Sequence, residues 1–140
     1  MAPGTEMTTE EFRRQWAASI SEDAFQAQVI EMARTLGWKV AHFRAVRIQR
    51  KDGTVYYATP VQADGEGFFD LVMCNGRRTL FAELKKASGR KRAAQEAWLA
   101  LLLDAGQEAF LWRPADMDAI EAVLGNTWSP IEVQKGETGS

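Results

Sequence analysis

Two carboxylates and a lysine fall where a short hairpin would gather them. Asp70 ends the stretch Gly67-Phe68-Phe69-Asp70, and Glu83 and Lys85 belong to Phe81-Ala82-Glu83-Leu84-Lys85. Phe68–Cys74 and Thr79–Leu84 read as two strands joined through Asn75-Gly76, a strong hairpin signal. Side chains alternate along a strand, so Glu83 and Lys85 share a face with Phe81. A two-residue turn at Asn75-Gly76 pairs Asp70 with Phe81, diagonal to Glu83. A four-residue loop over 75–78 sets Asp70 directly opposite Glu83. Both registers leave Asp70, Glu83 and Lys85 on one face. Carboxylates facing each other across a ladder have Cβ atoms roughly 5 Å apart and repel. Something positive belongs between them, either Lys85 or a divalent cation. Mg²⁺ takes hard oxygen ligands, often one or two carboxylates with phosphate oxygens. The backbone carbonyl of Leu84 is near enough in sequence to add another oxygen.

A basic run follows at once. Lys85, Lys86, Arg90, Lys91 and Arg92 place five cations in eight positions of a chain whose net charge is −2. At the start of a helix such residues suit phosphates, helped by the backbone N–H groups there. Acids that bind metal beside bases that bind phosphate are the equipment of phosphodiester hydrolysis. Other chemistries find little support. The one cysteine, Cys74, excludes an internal disulfide, and with the one histidine, His42, it cannot build a zinc site of the usual type. His42 is expected to be structural or at the surface. No G-x-x-x-x-G-K-[ST] loop indicates ATP.

The elements that would position these residues can be read around them. Thr8 and Glu11 have capping-box spacing for a helix over about 9–18, which is expected to pack Phe12 and Trp16 on the body. Ser21 caps a second helix, with Glu22 and Asp23 in its first turn and Phe25, Val29, Met32 and Leu36 as its buried stripe. Glu22 is placed near the end of that stripe and not on the solvent face. Gly37 stops the helix. Residues 38–48 read as one strand, Lys51-Asp52-Gly53 as a turn, and 54–58 as a returning arm. Residues 59–67 form a loop ahead of Asp70, suited to face a substrate. A helix from Arg90 or Lys91 to Ala105 leads to a strand over 108–112, an order that suggests a crossover to a parallel neighbour. Pro114 opens a last helix with Met117, Ile120, Val123 and Leu124 inward. Trp38 and Trp98 are the expected core tryptophans. The class is α/β, a mixed sheet flanked by helices.

The chain has 140 residues, 46% hydrophobic and 26% charged, an ordinary globular balance for one domain. A nucleic-acid role must rest on a local basic patch, because bulk charge does not supply one. The longest apolar run, Ala97–Leu103, is far too short for a bilayer. The first residues show no basic stretch followed by an apolar one, so no leader peptide is expected, and the expected location is cytoplasmic.

Taken together, Gly67–Val72, Phe81–Lys85 and Gln95–Leu99 resemble the VRR-NUC branch of the PD-(D/E)XK nucleases. Ser21–Gln26 with Leu36-Gly37-Trp38 resembles that family's opening helix and its glutamate. Thr59–Gly67 resembles a loop common in its phage and bacterial members, and Ala109–Pro114 its closing segment. The resemblance covers roughly residues 20–124. It implies a restriction-endonuclease-like core and an Mg²⁺- or Mn²⁺-dependent deoxyribonuclease. Asp70, Glu83 and the Leu84 carbonyl would hold metal, with support from Glu22. Lys85 would orient or help deprotonate the attacking water, and Gln95 would position Lys85 or the substrate. Lys86, Arg90, Lys91 and Arg92 would contact DNA. It also implies action on branched DNA such as four-way junctions, by a homodimer, in a bacterial or phage-infected cell. Phe69 stands where the family usually has proline. Two other readings remain: a binding or assembly module with the fold but without efficient cleavage, and an enzyme that trims or nicks linear DNA. The expected division is 1–19 as tail and short helix, 20–125 as nuclease domain and 126–140 as flexible tail.

Overall fold

Capping chemistry sets the first two helices. The structure, a computed structural model, describes residues 6–43, 46–58, 61–90 and 92–126. Helix α1 spans Thr9–Ser19, with the Thr8 hydroxyl accepting from Glu11 N–H at 3.1 Å and the Glu11 carboxylate accepting from Thr8 N–H at 3.0 Å. Only Ala17 of this helix is buried, and Phe12 is 62% exposed, so the expected packing of Phe12 on the body does not occur. Helix α2 spans Glu22–Thr35 and is capped by Ser21. Its buried side chains are Phe25, Val29 and Ala33, while Met32 is half-buried and Leu36 is 39% exposed. The expected stripe holds at Phe25 and Val29 and shifts at the helix's C-terminal half, where Ala33 is buried in place of Met32 and Leu36.

The main sheet has the order β1(Lys39–His42), β4(Leu71–Cys74), β5(Thr79–Leu84), β6(Glu108–Trp112). β1, β4 and β5 are mutually antiparallel neighbours, and β5 runs parallel to β6. The crossover between these parallel strands is α3(Ala93–Asp104), as the strand–helix–strand order suggested. A separate two-stranded sheet pairs β2(Val46–Gln49) with β3(Val55–Ala58). The single strand expected over 38–48 is thus two strands in two sheets. Residues 44, 45, 59 and 60, and the tail from 127, lie outside the described residues.

One face of the main sheet carries the core. Leu71, Met73, Leu80, Ala82 and Leu84 meet Phe25, Val29 and Ala33 of α2 and Ile120 and Leu124 of α4(Met117–Gly125). Pro114 opens a short 3-10 turn that leads into α4, a longer approach than the expected helix start. Trp38 is 3% exposed and donates its indole N–H to Leu124 O at 2.8 Å, satisfying a carbonyl near the end of α4. Arg78 is 6% exposed and closes the same end: its guanidinium binds both Glu108 carboxylate oxygens and the carbonyls of Val123 and Asn126. Among the described residues no helix is long and apolar enough to cross a membrane.

The other face is aromatic. Phe68 makes edge-to-face contacts with Trp98 at 5.1 Å, Phe43 at 5.7 Å, Phe69 at 5.8 Å and Phe81 at 6.2 Å. Trp98 is half-buried, less enclosed than expected, and its indole N–H holds Asp64 O at 3.1 Å, which ties the 61–67 loop to α3.

Candidate active site

The hairpin adopts the longer of the two turns. Cys74 pairs with Thr79 and Leu71 with Ala82, so 75–78 form a four-residue loop. Asn75 sets it: its side-chain oxygen accepts from Arg77 N–H at 2.9 Å and Arg78 N–H at 2.7 Å, and Gly76 takes a positive φ of 91°. Continued one step, this register puts Asp70 opposite Glu83. Asp70 itself lies at a bend just before β4, later than the strand start expected at Phe68. As β4 turns away there, the Asp70 carboxylate takes over the ladder, accepting from Leu84 N–H at 2.8 Å. N–H and C=O of one extended residue point to the same edge, so the Leu84 carbonyl also faces the Asp70 side.

Position is enforced by packing. Phe69 is 2% exposed and lies against Phe68 and Phe81. Gly67, with φ of 77°, brings the loop against α3: a Cβ there would lie 2.6 Å from the Ala94 carbonyl carbon and 2.7 Å from Gln95 N. Asp70 is thus aimed by aromatic contacts on one side and a glycine approach on the other.

Glu83 is 5% exposed. Its Oε1 accepts from Gln95 Nε2 at 2.6 Å and lies 3.5 Å from Lys85 Nζ. Gln95 is in turn oriented by Arg92, whose N–H it accepts through Oε1 at 3.3 Å. Gln95 therefore grips Glu83, where Lys85 or the substrate was expected to be its partner. Glu83 Oε2 is buried with no hydrogen-bond partner. Buried carboxylate oxygens are rarely left so. Beside it, Gly67, Phe69, Gln95, Leu99 and Phe110 help line a void of about 10 Å³, room for about one water.

Electrostatics mark the pair. Burial, then the neighbouring Asp70 charge, pushes the Glu83 carboxyl up to about 7, against the pull of Lys85. Asp70 is also raised, first by burial and then by Glu22, while Leu84 N–H, Lys85 and His42 pull it down. A buried acid and a half-buried one that both resist ionisation are a common mark of a functional site.

These facts fit a divalent cation in part. Two raised carboxylates, one orphaned oxygen and a backbone carbonyl on the same edge are hard oxygen donors of the kind Mg²⁺ uses, with water or phosphate completing its shell. Among the described residues, no three His, Cys, Asp or Glu side chains converge closely enough to form a cage without such help. Glu22 is exposed in the first turn of α2, on the solvent side contrary to expectation. It influences Asp70 through its charge.

The basic run leads into its helix, which begins two or three residues later than expected, with Arg92 as the N-cap. Lys86 and Arg90 are exposed in the connection after β5, and α3 starts only at Ala93, after Arg92. Lys91 lies outside the described residues. Arg113 braces this connection, donating from Nη1 to Lys86 O at 2.9 Å. Arg113 and His42 belong to the site's surroundings but gave no local signal. Each is brought there by a strand pairing distant in sequence, β6 on β5 and β1 on β4.

Compared with protein-family models, with curated proteins and with solved structures, the chain matches none.

Proposed function

We propose that the chain is a metal-dependent endonuclease that hydrolyses DNA phosphodiester bonds, with the restriction-endonuclease-like core of the VRR-NUC branch of PD-(D/E)XK nucleases. The observation that carries this reading is the pair of a half-buried Asp70 and a buried Glu83, both raised, with an unpartnered Glu83 oxygen and Lys85 Nζ 3.5 Å from its mate.

Asp70, Glu83 and the Leu84 carbonyl would hold Mg²⁺ or Mn²⁺, with Glu22 adding negative charge nearby. When bound, the ion supplies charge stabilisation at the phosphoryl oxygens and lowers the pKa of water. Gln95 fixes the Glu83 rotamer. The Lys85 ammonium orients the attacking water and offsets negative charge building on the phosphate. A water O–P bond forms as the P–O3′ bond breaks; the attacking water gives up a proton to solvent and the leaving 3′-oxygen takes one from it, leaving a 5′-phosphate and a 3′-hydroxyl. Lys86, Arg90, Lys91 and Arg92 supply cations for flanking phosphates. Branched DNA such as a four-way junction is the proposed substrate. Two copies suit its symmetry, and exposed Leu101 and Leu103 of α3 provide apolar surface for pairing.

A second reading, a DNA-binding or assembly module that does not cut, is favoured by two observations. Lys85 already partners Glu83, and no three-side-chain cage forms among the described residues. Cleavage of a labelled four-way junction and a matched linear duplex, with Mg²⁺, Mn²⁺ or EDTA, separates the readings. Metal-dependent cutting of the junction alone, lost in Lys85→Ala, is the expected result. Equal cutting of both substrates keeps the nuclease and removes the junction preference. Binding without cutting under either metal selects the silent module.

A further inference from the structure

The β2–β3 ribbon lies outside the site just described, and its composition differs from that of the rest of the chain. It is a two-stranded antiparallel sheet with no third strand among the described residues. Such a ribbon is marginally stable in water on its own. Yet its surface is not a neutral one: Tyr57 is 69% exposed, and Val46, Val55 and Tyr56 are exposed as well. The register puts Arg47 opposite Tyr57 on one face and Ile48 opposite Tyr56 on the other. The Arg50 guanidinium lies 4.4 Å above the Tyr56 ring. Lys51 begins the turn. The only acid over 46–58 is Asp52, and its carboxylate is occupied by Thr54, accepting the N–H at 2.9 Å and the hydroxyl at 2.6 Å. Three cations against one acid give the ribbon a charge of +2 in a chain of −2.

Its root is at the site. The ribbon is inserted between β1 and β4, and the last described residue before it, Phe43, donates its N–H to Asp70 O at 2.8 Å. The strand Val46–Gln49 spans roughly 10 Å at about 3.3 Å per residue, equal to about three base-pair steps, and Arg50 and Lys51 lie just beyond it at the turn. A two-stranded ribbon is also of a size that the DNA major groove admits.

We infer that the β2–β3 ribbon is a DNA-contacting arm. Arg47, Arg50 and Lys51 hold phosphates several steps from the bond aligned at Asp70 and Glu83, and Tyr57 packs on a sugar or base. Duplex DNA is the occupant that the charge selects. The inference extends the DNA-cleavage reading to a surface that the reading does not need for chemistry.

The test is fluorescence anisotropy of a labelled duplex titrated with the full chain in EDTA, over a series of salt concentrations. Thermal melts establish that each variant is folded. The double variant Arg47→Ala/Lys51→Ala should lose about tenfold or more in affinity, and its log K against log salt slope should fall by about 2. Tyr57→Ala should weaken binding at least about fivefold with the slope unchanged, and Tyr57→Phe should keep most of the affinity. Variants that bind as the wild type does, with the same slope, overturn the arm. So does a wild type that binds no DNA. Unchanged affinity with altered sedimentation would assign the ribbon to self-association and overturn the arm too. If the ribbon variants lose affinity while the wild type cuts nothing with Mg²⁺ or Mn²⁺, the arm stands and the nuclease reading falls.

Discussion

Gln95 Nε2 lies 2.6 Å from Glu83 Oε1, so the first turn of α3 holds the buried acid of β5. The same amide takes the Arg92 N–H through its oxygen, which fixes which end faces Glu83. A neutral donor is suited to this place, because it supports the carboxylate without competing as a charge. Gln95→Ala removes the amide hydrogen bond on that oxygen and frees the Glu83 side chain to rotate. Cleavage should fall about 10- to 100-fold, as for other residues that orient metal ligands. The metal concentration for half-maximal rate should rise, which single-turnover assays over a Mg²⁺ or Mn²⁺ series would measure. A rate lowered with no change in metal dependence would contradict this role.

Arg78 shows how far the fold depends on one buried cation. Its side chain is 3% exposed, against 19% for Glu108, and it also binds two carbonyls at the end of α4 and stacks over Trp38 at 5.1 Å. Removing the guanidinium leaves Glu108 and those carbonyls without their donor. Arg78→Ala should cost about 3 kcal/mol or more in urea denaturation, the usual penalty for breaking a buried pair. Arg78→Lys should recover only part, since one ammonium cannot serve a bidentate carboxylate and two carbonyls together. A variant within about 0.5 kcal/mol of the wild type would refute the clamp.

Local signals gave the elements whose causes are local. Thr8, Ser21 and Gly37 mark helix ends through bonds within a few residues, and the observed caps use them. The shared face of Asp70 and Glu83 was legible because both possible turns preserve it. The choice between turns rested on Asn75 accepting two N–H groups, a contact that composition does not specify. Tertiary effects were not legible. The split of 38–48 into β1 and β2 follows from β1 pairing with β4, some thirty residues away, as Lys39 opposite Cys74 shows. Glu22 was misplaced because helical spacing tells which side of α2 it shares but not where the sheet ends beneath it. The start of the helix after the basic run was read two or three residues early, since Arg92 caps α3 and Ala93 is its first residue.

Gly67 offers a test of whether the loop ahead of Asp70 is part of the site. It combines a φ of 77° with backbone atoms of α3 at 2.6–2.7 Å from any added Cβ. Gly67→Ala must move either the loop or the first turn of α3, and Asp70 and Gln95 are attached to those two segments. Stability should fall by about 1–3 kcal/mol, from the left-handed backbone and the clash together. Cleavage should fall further than that loss explains when measured well below the melting temperature. Gly37→Ala is the control: it has a φ of 92° but open space around it, so it should lose stability with little change in cleavage.

The raised Glu83 carboxyl makes stability depend on pH and on metal together. Its ordinary value is 4.5 and its folded value about 7. Between these, the unfolded chain releases the proton while the folded one keeps it, so folded stability from this group falls as pH rises from about 4.5 to 7 and is level above. Metal-free protein should therefore lose on the order of 3 kcal/mol of this contribution across that window, read from urea midpoints at constant ionic strength. Glu83→Gln removes the ionisation, so it should flatten the profile and be more stable than the wild type at pH 8 without metal. Mg²⁺ or Mn²⁺ should reverse the order at pH 8, stabilising the wild type because a bound cation favours the ionised acids and leaving Glu83→Gln nearly unmoved. Equal metal stabilisation of both proteins would show that the ion binds elsewhere.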